Sequence, residues 1–212
     1  MERKSYGQFC ALARALDRVG DRWTLLIVRE LLLGPRTFRD LTRTLPGVGP
    51  SLLSKRLSGL VHDGIIQRND APTRSKTVEY ALTPAGQALE GAVLELIRWG
   101  ARWMTSGPGD DAIEPEWALL AIRALLDGAP AQGTDVVHLD VEGHWLTVSA
   151  ADGVRRVRSG RVGDPDAVVT TELPTALAVA SGVRPLAGAG AIVSGSTRRA
   201  AKLLISPVPI GR

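Results

Sequence analysis

The chain has 212 residues, 44% hydrophobic and 23% charged, with one cysteine, Cys10; this ordinary globular balance excludes a disulfide scaffold, a fibrous repeat and wholesale disorder. Its apolar runs, such as 23–28, fall far short of the ~20 residues of a membrane span, and Met1-Glu-Arg-Lys followed by Ser5-Tyr-Gly-Gln lacks the apolar stretch of a signal peptide, so a cytoplasmic protein with no membrane partner is expected. The net charge of +4 is uneven: residues 1–105 hold 16 Lys+Arg against 10 Asp+Glu and residues 106–212 hold 10 against 12, which points the first half toward a polyanion.

The first half reads as helices around a hairpin. Leu12, Ala15, Leu16 and Val19 share one helical face, predicting a helix over 8–17 that ends at Gly20. Asp21 is placed to cap a second helix, 23–33, whose dense apolar residues predict burial, and Gly34-Pro35 ends it. Thr37 caps a short third helix with Phe38, Leu41 and Leu45 on one side. The turn 46–50 contains two glycines and two prolines. A fourth helix over 51–62 carries Leu53, Leu57, Leu60 and Val61 on its inward face. Asp63-Gly64 stops it. The strand-like runs 65–68 and 77–82 then form a hairpin with a basic tip. Thr83-Pro84 starts a helix that runs to about residue 105.

The segment 106–115 holds two glycines, two prolines and three acids, as expected of a linker between domains 1–105 and 116–212. The second domain reads as α+β: a helix over 116–126, strands over 136–141, 145–150, 154–158 and 167–171, a helix over 173–181, a short strand over 191–193 and a closing helix over 196–204. Glu142-Gly143 and Asp152-Gly153 are hairpin turn signals.

Three helices, a tight turn and a two-stranded hairpin are the parts of a winged helix-turn-helix. The helix after 46–50 must present its solvent side to a major groove about 12 Å wide. Its outward residues are Ser51, Ser54, Lys55 and Ser58; Arg56 lies near the rim and faces either way. Short hydroxyls permit close approach to base edges, and Lys55 supplies charge. Arg36, Arg39 and Arg43 would lie along phosphates, and Arg68, Arg74 and Lys76 of the hairpin would reach an adjacent minor groove or phosphate. From Pro35 to Lys76 eight basic residues face three acidic ones, so the excess sits on these elements.

The run Tyr6-Gly-Gln-Phe9-Cys10 through Asp17-Arg-Val-Gly20-Asp-Arg22-Trp23 resembles the opening of HxlR-type (MarR-like) regulators. Arg36-Thr-Phe38-Arg-Asp-Leu41, Leu53-Ser-Lys-Arg56-Leu57 with Asp63-Gly64-Ile65-Ile66, and Val78-Glu-Tyr80-Ala-Leu82-Thr83-Pro84-Ala-Gly86 are similar to its later elements. The match covers residues 6–105, departing from the pattern at Ala11 and Arg22. The resemblance implies a homodimeric transcription factor on a near-palindromic double-stranded operator. It also implies a dimer interface drawing on Phe9, Leu12, Val93, Leu96, Trp99 and Trp103, although Trp99 and Trp103 would equally serve an intrachain core. Cys10 sits where relatives carry a redox-sensing thiol; a packing role is the alternative.

The second half resembles the sterol-carrier-protein fold through Asp164-Pro-Asp166-Ala-Val-Val-Thr-Thr171, Leu177, Gly182, Pro185, Ala187 and Ile192-Val-Ser-Gly195-Ser. It implies an apolar tunnel lined by Leu139, Val141, Trp145, Val148, Val169, Leu177, Ile192 and Leu203, with a small apolar effector; the same residues would also fill an ordinary core. Enzymatic chemistry is not expected. The stretch 190–197 lacks the lysine of a phosphate loop, there is no nucleophile elbow, and no catalytic residue or cofactor is assigned. His138, Asp140 and Glu142 alternate along a strand with His144 beyond the turn, the pattern of a solvated face rather than a metal site. The competing reading is a lipid carrier whose winged helix serves protein contacts. The hydroxyls and Lys55 on the fourth helix favour the regulator.

Overall fold

The computed structural model describes residues 5–70, 78–103, 110–112 and 114–206. It divides into two compact units, Met1–Val93 and Leu94–Arg212.

The first unit runs α1 (Ala11–Val19), α2 (Thr24–Leu32), β1 (Arg36–Thr37), α3 (Phe38–Thr44), α4 (Pro50–His62), β2 (Ile66–Asp70), β3 (Val78–Leu82), α5 (Pro84–Gln87) and the start of α6 (Glu90–Gly100). Ile27, Val28, Leu31, Leu41, Leu45, Leu53, Leu57, Leu60 and Ile66 are buried, so α2, α3 and α4 close around one apolar centre. The hairpin expected after α4 is present, and β1 joins it to make a small antiparallel sheet in the order β1-β3-β2. Two residues are too few to show a period, which is why β1 escapes a sequence reading. Asp21 does not cap α2. Trp23 occupies the N-cap in the left-handed region at φ 79°. A Cβ added at Gly47 would lie 3.5 Å from its indole, so Trp23 sits beside the turn that leads into α4. The helix expected from 84 to about 105 is three pieces: α5, α6 and a 3-10 turn at Ala101–Trp103.

In the second unit α7 (Pro115–Leu126) precedes β4 (Val136–Val141), β5 (His144–Ala151), β6 (Val154–Ser159), β7 (Ala167–Thr171), α8 (Leu173–Ala180), β8 (Ile192–Gly195) and α9 (Thr197–Leu204). The strands form one sheet in the order β6-β5-β4-β7-β8, with β4 and β7 parallel and the other pairs antiparallel. Both hairpin signals deliver the two successive positive φ values of a two-residue turn: 53° and 89° at Glu142-Gly143, 51° and 79° at Asp152-Gly153. Alternation sends Val137, Leu139, Val141, Leu146, Val148 and Val169 to one face, where Ile122, Leu126, Val179, Leu203 and Leu204 from the helices bury them. Arg155 is buried on the same face. It donates to the carbonyls of Lys202 (3.0 Å) and Ile205 (2.5 Å), the unsatisfied end of α9. Arg98 of α6 likewise donates to Ala124 O and, at 2.9 Å, to Asp127 O at the end of α7.

Candidate nucleic-acid interface

Helix α3 is fixed at its start by a reciprocal cap. Thr37 Oγ1 accepts from Asp40 N (3.1 Å), while the Asp40 carboxylate accepts from Thr37 N (3.0 Å) and Thr37 Oγ1 (2.6 Å). The Thr37 hydroxyl first, then its N–H, and then the Arg36 and Arg43 guanidinium groups hold Asp40 below the usual carboxylate range. Arg39 and Arg43 are exposed on α3. Arg36 differs from the expectation: it lies half-buried in β1, paired in register with Tyr80, rather than on the helix.

The turn before α4 uses Gly47 at φ 90°, and Pro50 takes the first helical position, where no amide hydrogen is needed. Leu53, Leu57 and Leu60 are buried. Ser51, Ser54, Lys55 and Ser58, at i, i+3, i+4 and i+7, are exposed together on the opposite side. Arg56 is not with them. Its guanidinium is half-buried and ion-paired with Asp21, which corrects its assignment to the DNA-facing set. Between 5–21 and α4 lies a groove of about 850 Å³ lined by residues including Tyr6, Leu16, Arg18, Lys55 and Ser58, a feature with no signal in sequence.

The wing is held to the helices at Gly86, where an added Cβ would meet Ile65 O at 2.1 Å, so only glycine fits. Thr83 caps α5 through Gly86 N (3.2 Å) and donates its hydroxyl to Gly64 O (2.6 Å), linking the end of β3 to the end of α4. Arg68 is exposed on β2. Arg74 and Lys76 lie outside the described residues.

Of the side chains expected at a dimer interface, Phe9, Leu12, Leu96, Trp99 and Trp103 are exposed, and the two indoles meet edge-on with ring centres 4.5 Å apart. Val93 is the correction: it is buried within its own chain. Cys10 is exposed at the N-cap of α1, where the N–H groups of Ala13 and then Leu12 pull the thiol below its ordinary value.

The residues expected to line a tunnel are divided between two faces of the sheet. Leu139, Val141, Val148, Val169 and Leu203 are buried in one cluster, with Leu177 packed against it. Trp145 pairs with Asp140 and Ile192 pairs with Thr170, both on the other face, and Ile192 is 73% exposed. Val193, one residue on, is the strand's inward side chain. The void between sheet and helices measures about 10 Å³, room for one water at most. The polar row has structural partners: His138 Nε2 contacts Val162 O (3.2 Å), Asp140 accepts from Gly143 N (2.9 Å) and Glu142 accepts from Leu173 N (3.1 Å). Among the described residues no cluster suits a metal ion, and no helix is long and apolar enough to cross a membrane.

These elements have counterparts in known proteins. The HxlR-like helix-turn-helix family model matches residues 18–108. An HTH-type transcriptional regulator of Mycobacterium tuberculosis is 40% identical over 99 residues, 47% of this chain and 62% of the relative, so the chain spans under two thirds of that relative's length. The HTH-type transcriptional regulators YvaP and YodB of Bacillus subtilis are 34% and 33% identical, covering 43% and 48% of this chain and 84% and 89% of theirs. The reduced form of YodB, a solved structure, is 31% identical over 47% of this chain and 99% of that one, with a TM-score of 0.41. Because the sequence similarity to YvaP and YodB extends over more than four fifths of each, the chain belongs to the HxlR-like helix-turn-helix family of transcriptional regulators.

Proposed function

We propose that the chain is a homodimeric DNA-binding regulator that inserts α4 into the major groove of a near-palindromic operator. The observation that carries this reading is the exposed stripe of Ser51, Ser54, Lys55 and Ser58, opposite the buried Leu53, Leu57 and Leu60 of α4, with Val61, expected to face inward, exposed as well. Three hydroxyls and one ammonium form a surface that approaches base edges without steric hindrance and neutralises a phosphate. Arg39 and Arg43 on α3 and Arg68 on β2 flank it with charge directed to the backbone, a role that also falls to Arg74 and Lys76. A second copy would cover the apolar side chains left exposed on 9–16 and at the end of α6, and would supply the second half-site contact. The helix-turn-helix order of the family supports the same partner.

Any apolar effector taken up by the second unit has to part the helices from the sheet, because ligand pockets of about 300–1,000 Å³ are far larger than the void found there. The order β7, α8, β8, α9 agrees with the order of elements in the sterol-carrier resemblance and is what supports such an effector. Among the described residues the void between this sheet and its helices is too small for a lipid, so the carrier reading draws no support from it.

The test is an anisotropy titration with DNA from upstream of the protein's own coding region, at several salt concentrations, against scrambled competitor. Specific binding with a steep salt dependence and two protomers per site is expected. Equal, weak binding to both DNAs at every salt would overturn the proposal.

A further inference from the structure

Among the described residues the helices of the second unit pack on one face of its sheet, and on the other face the 160–162 loop covers His138 and Thr147, which are buried. The other face carries Val154, Arg156 and Arg158 of β6, Trp145, Thr147 and Ser149 of β5, His138 and Asp140 of β4, and the outward residues of β7 and β8. Register fixes this: Arg156 stands opposite Ser149 and Arg158 opposite Thr147, in the row that contains Trp145. A third guanidinium joins them from the loop after β6. Arg161 lies over the Trp145 ring at 4.7 Å. The loop that holds it is tied down at four points: Gly160 N donates to Trp145 O (2.7 Å), Thr147 Oγ1 donates to Gly160 O (2.8 Å) and accepts from Val162 N (3.0 Å), and His138 Nε2 contacts Val162 O (3.2 Å).

Arg156, Arg158 and Arg161 are all exposed, and among the described residues none has an acidic partner. The strand-borne carboxylate on this face, Asp140, accepts from Gly143 N instead. The half of the chain around them is otherwise acidic, with 10 Lys+Arg against 12 Asp+Glu, so three cations on one face are a concentration of charge. Cationic residues on an edge strand such as β6 can serve only to block strand pairing. That account does not reach Arg161, which sits over the second strand on a pinned loop. Two arginines about 6.8 Å apart along a strand match the separation of successive phosphates in a nucleic-acid strand.

We propose that the exposed arginine cluster on this face, formed by β6 and the loop after it, is a second, sequence-independent contact with double-stranded DNA, in which Arg156, Arg158 and Arg161 neutralise backbone phosphates. The proposal rests on the reading of the chain as a DNA-binding regulator. Binding through α4 brings DNA to the same chain at a local concentration that makes weak phosphate contacts count.

The experiment is anisotropy of the full chain on a random-sequence duplex of about 50 base pairs, between about 50 and 200 mM salt, for wild type, R156Q/R158Q/R161Q and K55A. Loss of three phosphate contacts lowers the slope of log affinity on log salt by about 2.7, and K55A lowers it by about 0.9. R156Q/R158Q, which leaves the Arg161 loop intact, lowers it by about 1.8, and unchanged thermal melting of both variants shows that the fold is kept. A triple variant with wild-type slope and affinity overturns the proposal; if K55A still shows its effect, the regulator reading stands alone, and if K55A shows none, both fail. Loss of binding to phosphatidylglycerol vesicles with an unchanged DNA slope also overturns it, assigning the face to an anionic lipid surface.

Discussion

Lys55 and Arg56 are adjacent in sequence and equal in charge, yet the structure gives them opposite roles on DNA. Lys55 is exposed on the hydroxyl stripe of α4, whereas the Arg56 guanidinium is neutralised by Asp21. Lys55→Ala removes one phosphate contact and lowers the salt slope by about 0.9, so the affinity deficit of the variant shrinks about 3.5-fold between 50 and 200 mM salt. Arg56→Ala leaves the slope unchanged. Its side chain is 22% exposed and that of Asp21 56%, so loss of the pair costs no more than about 1 kcal/mol of stability, read as a small fall in the denaturant midpoint. Asp21→Asn is the converse: it releases the Arg56 guanidinium and steepens the salt dependence. Titration of the three variants on one duplex at four salt concentrations decides the matter. An equal loss of slope in Arg56→Ala and Lys55→Ala would refute the assignment of Arg56 to an intramolecular pair.

Further outcomes follow from the same geometry. Arg155→Met strips two buried carbonyls at the end of α9 of their donor, and a loss of about 2–4 kcal/mol is expected in urea unfolding, offset in part by removal of a guanidinium that burial disfavours; an unchanged midpoint would contradict this. Asp40 and Asp166 are held below the usual carboxylate range, Asp40 by the Thr37 hydroxyl and N–H, Asp166 by Val136 N and then Arg199. A depressed native value means that their contribution is complete above about pH 4 and fades as pH falls through that value, so D40N and D166N variants should differ most from wild type at neutral pH and converge with it in acid. Leu12→Asp and Trp103→Asp should yield folded monomers by light scattering, while Val93→Ala costs about 1–3 kcal/mol of stability without changing the assembly; monomers from Val93→Ala alone would reverse that division. Thiol labelling of Cys10 against pH should rise with a midpoint below the ordinary thiol range near 8.5, and a midpoint at or above it would remove the basis for a sensing role.

Much of this fold is legible in sequence where one residue or one period decides the backbone. The pairs Glu142-Gly143 and Asp152-Gly153 mark two hairpins because few residues accept two successive positive φ values. Strands β4 and β7 have the expected ends, since their period-2 runs are bounded by turn residues. What stays hidden depends on partners distant in sequence. Asp21 has the form of a cap, and only the fold brings Arg56 to it across 35 residues. Ile192 and Val193 are equally apolar. Register against Thr170 and Val169 decides which one faces inward, and a shift of one residue reverses the answer. Arg155 sits in a run of charged residues that reads as solvated, yet the open end of α9 draws it into the interior. At the site, the stripe on α4 is readable because one helical face is apolar and the other is not. The groove beside it is made by elements that no spacing connects.

Trp23 offers a further use. Its indole lies beside Gly47 in the turn ahead of α4, and its backbone is held at φ 79°, a conformation that an indole-bearing residue adopts only when its surroundings enforce it. The ring is therefore an optical sensor built into the reading head. Replacing Trp99, Trp103, Trp117 and Trp145 with phenylalanine would leave its emission as the sole indole signal. A spectral shift on adding DNA would then report the turn responding as α4 docks, in real time and without an attached dye.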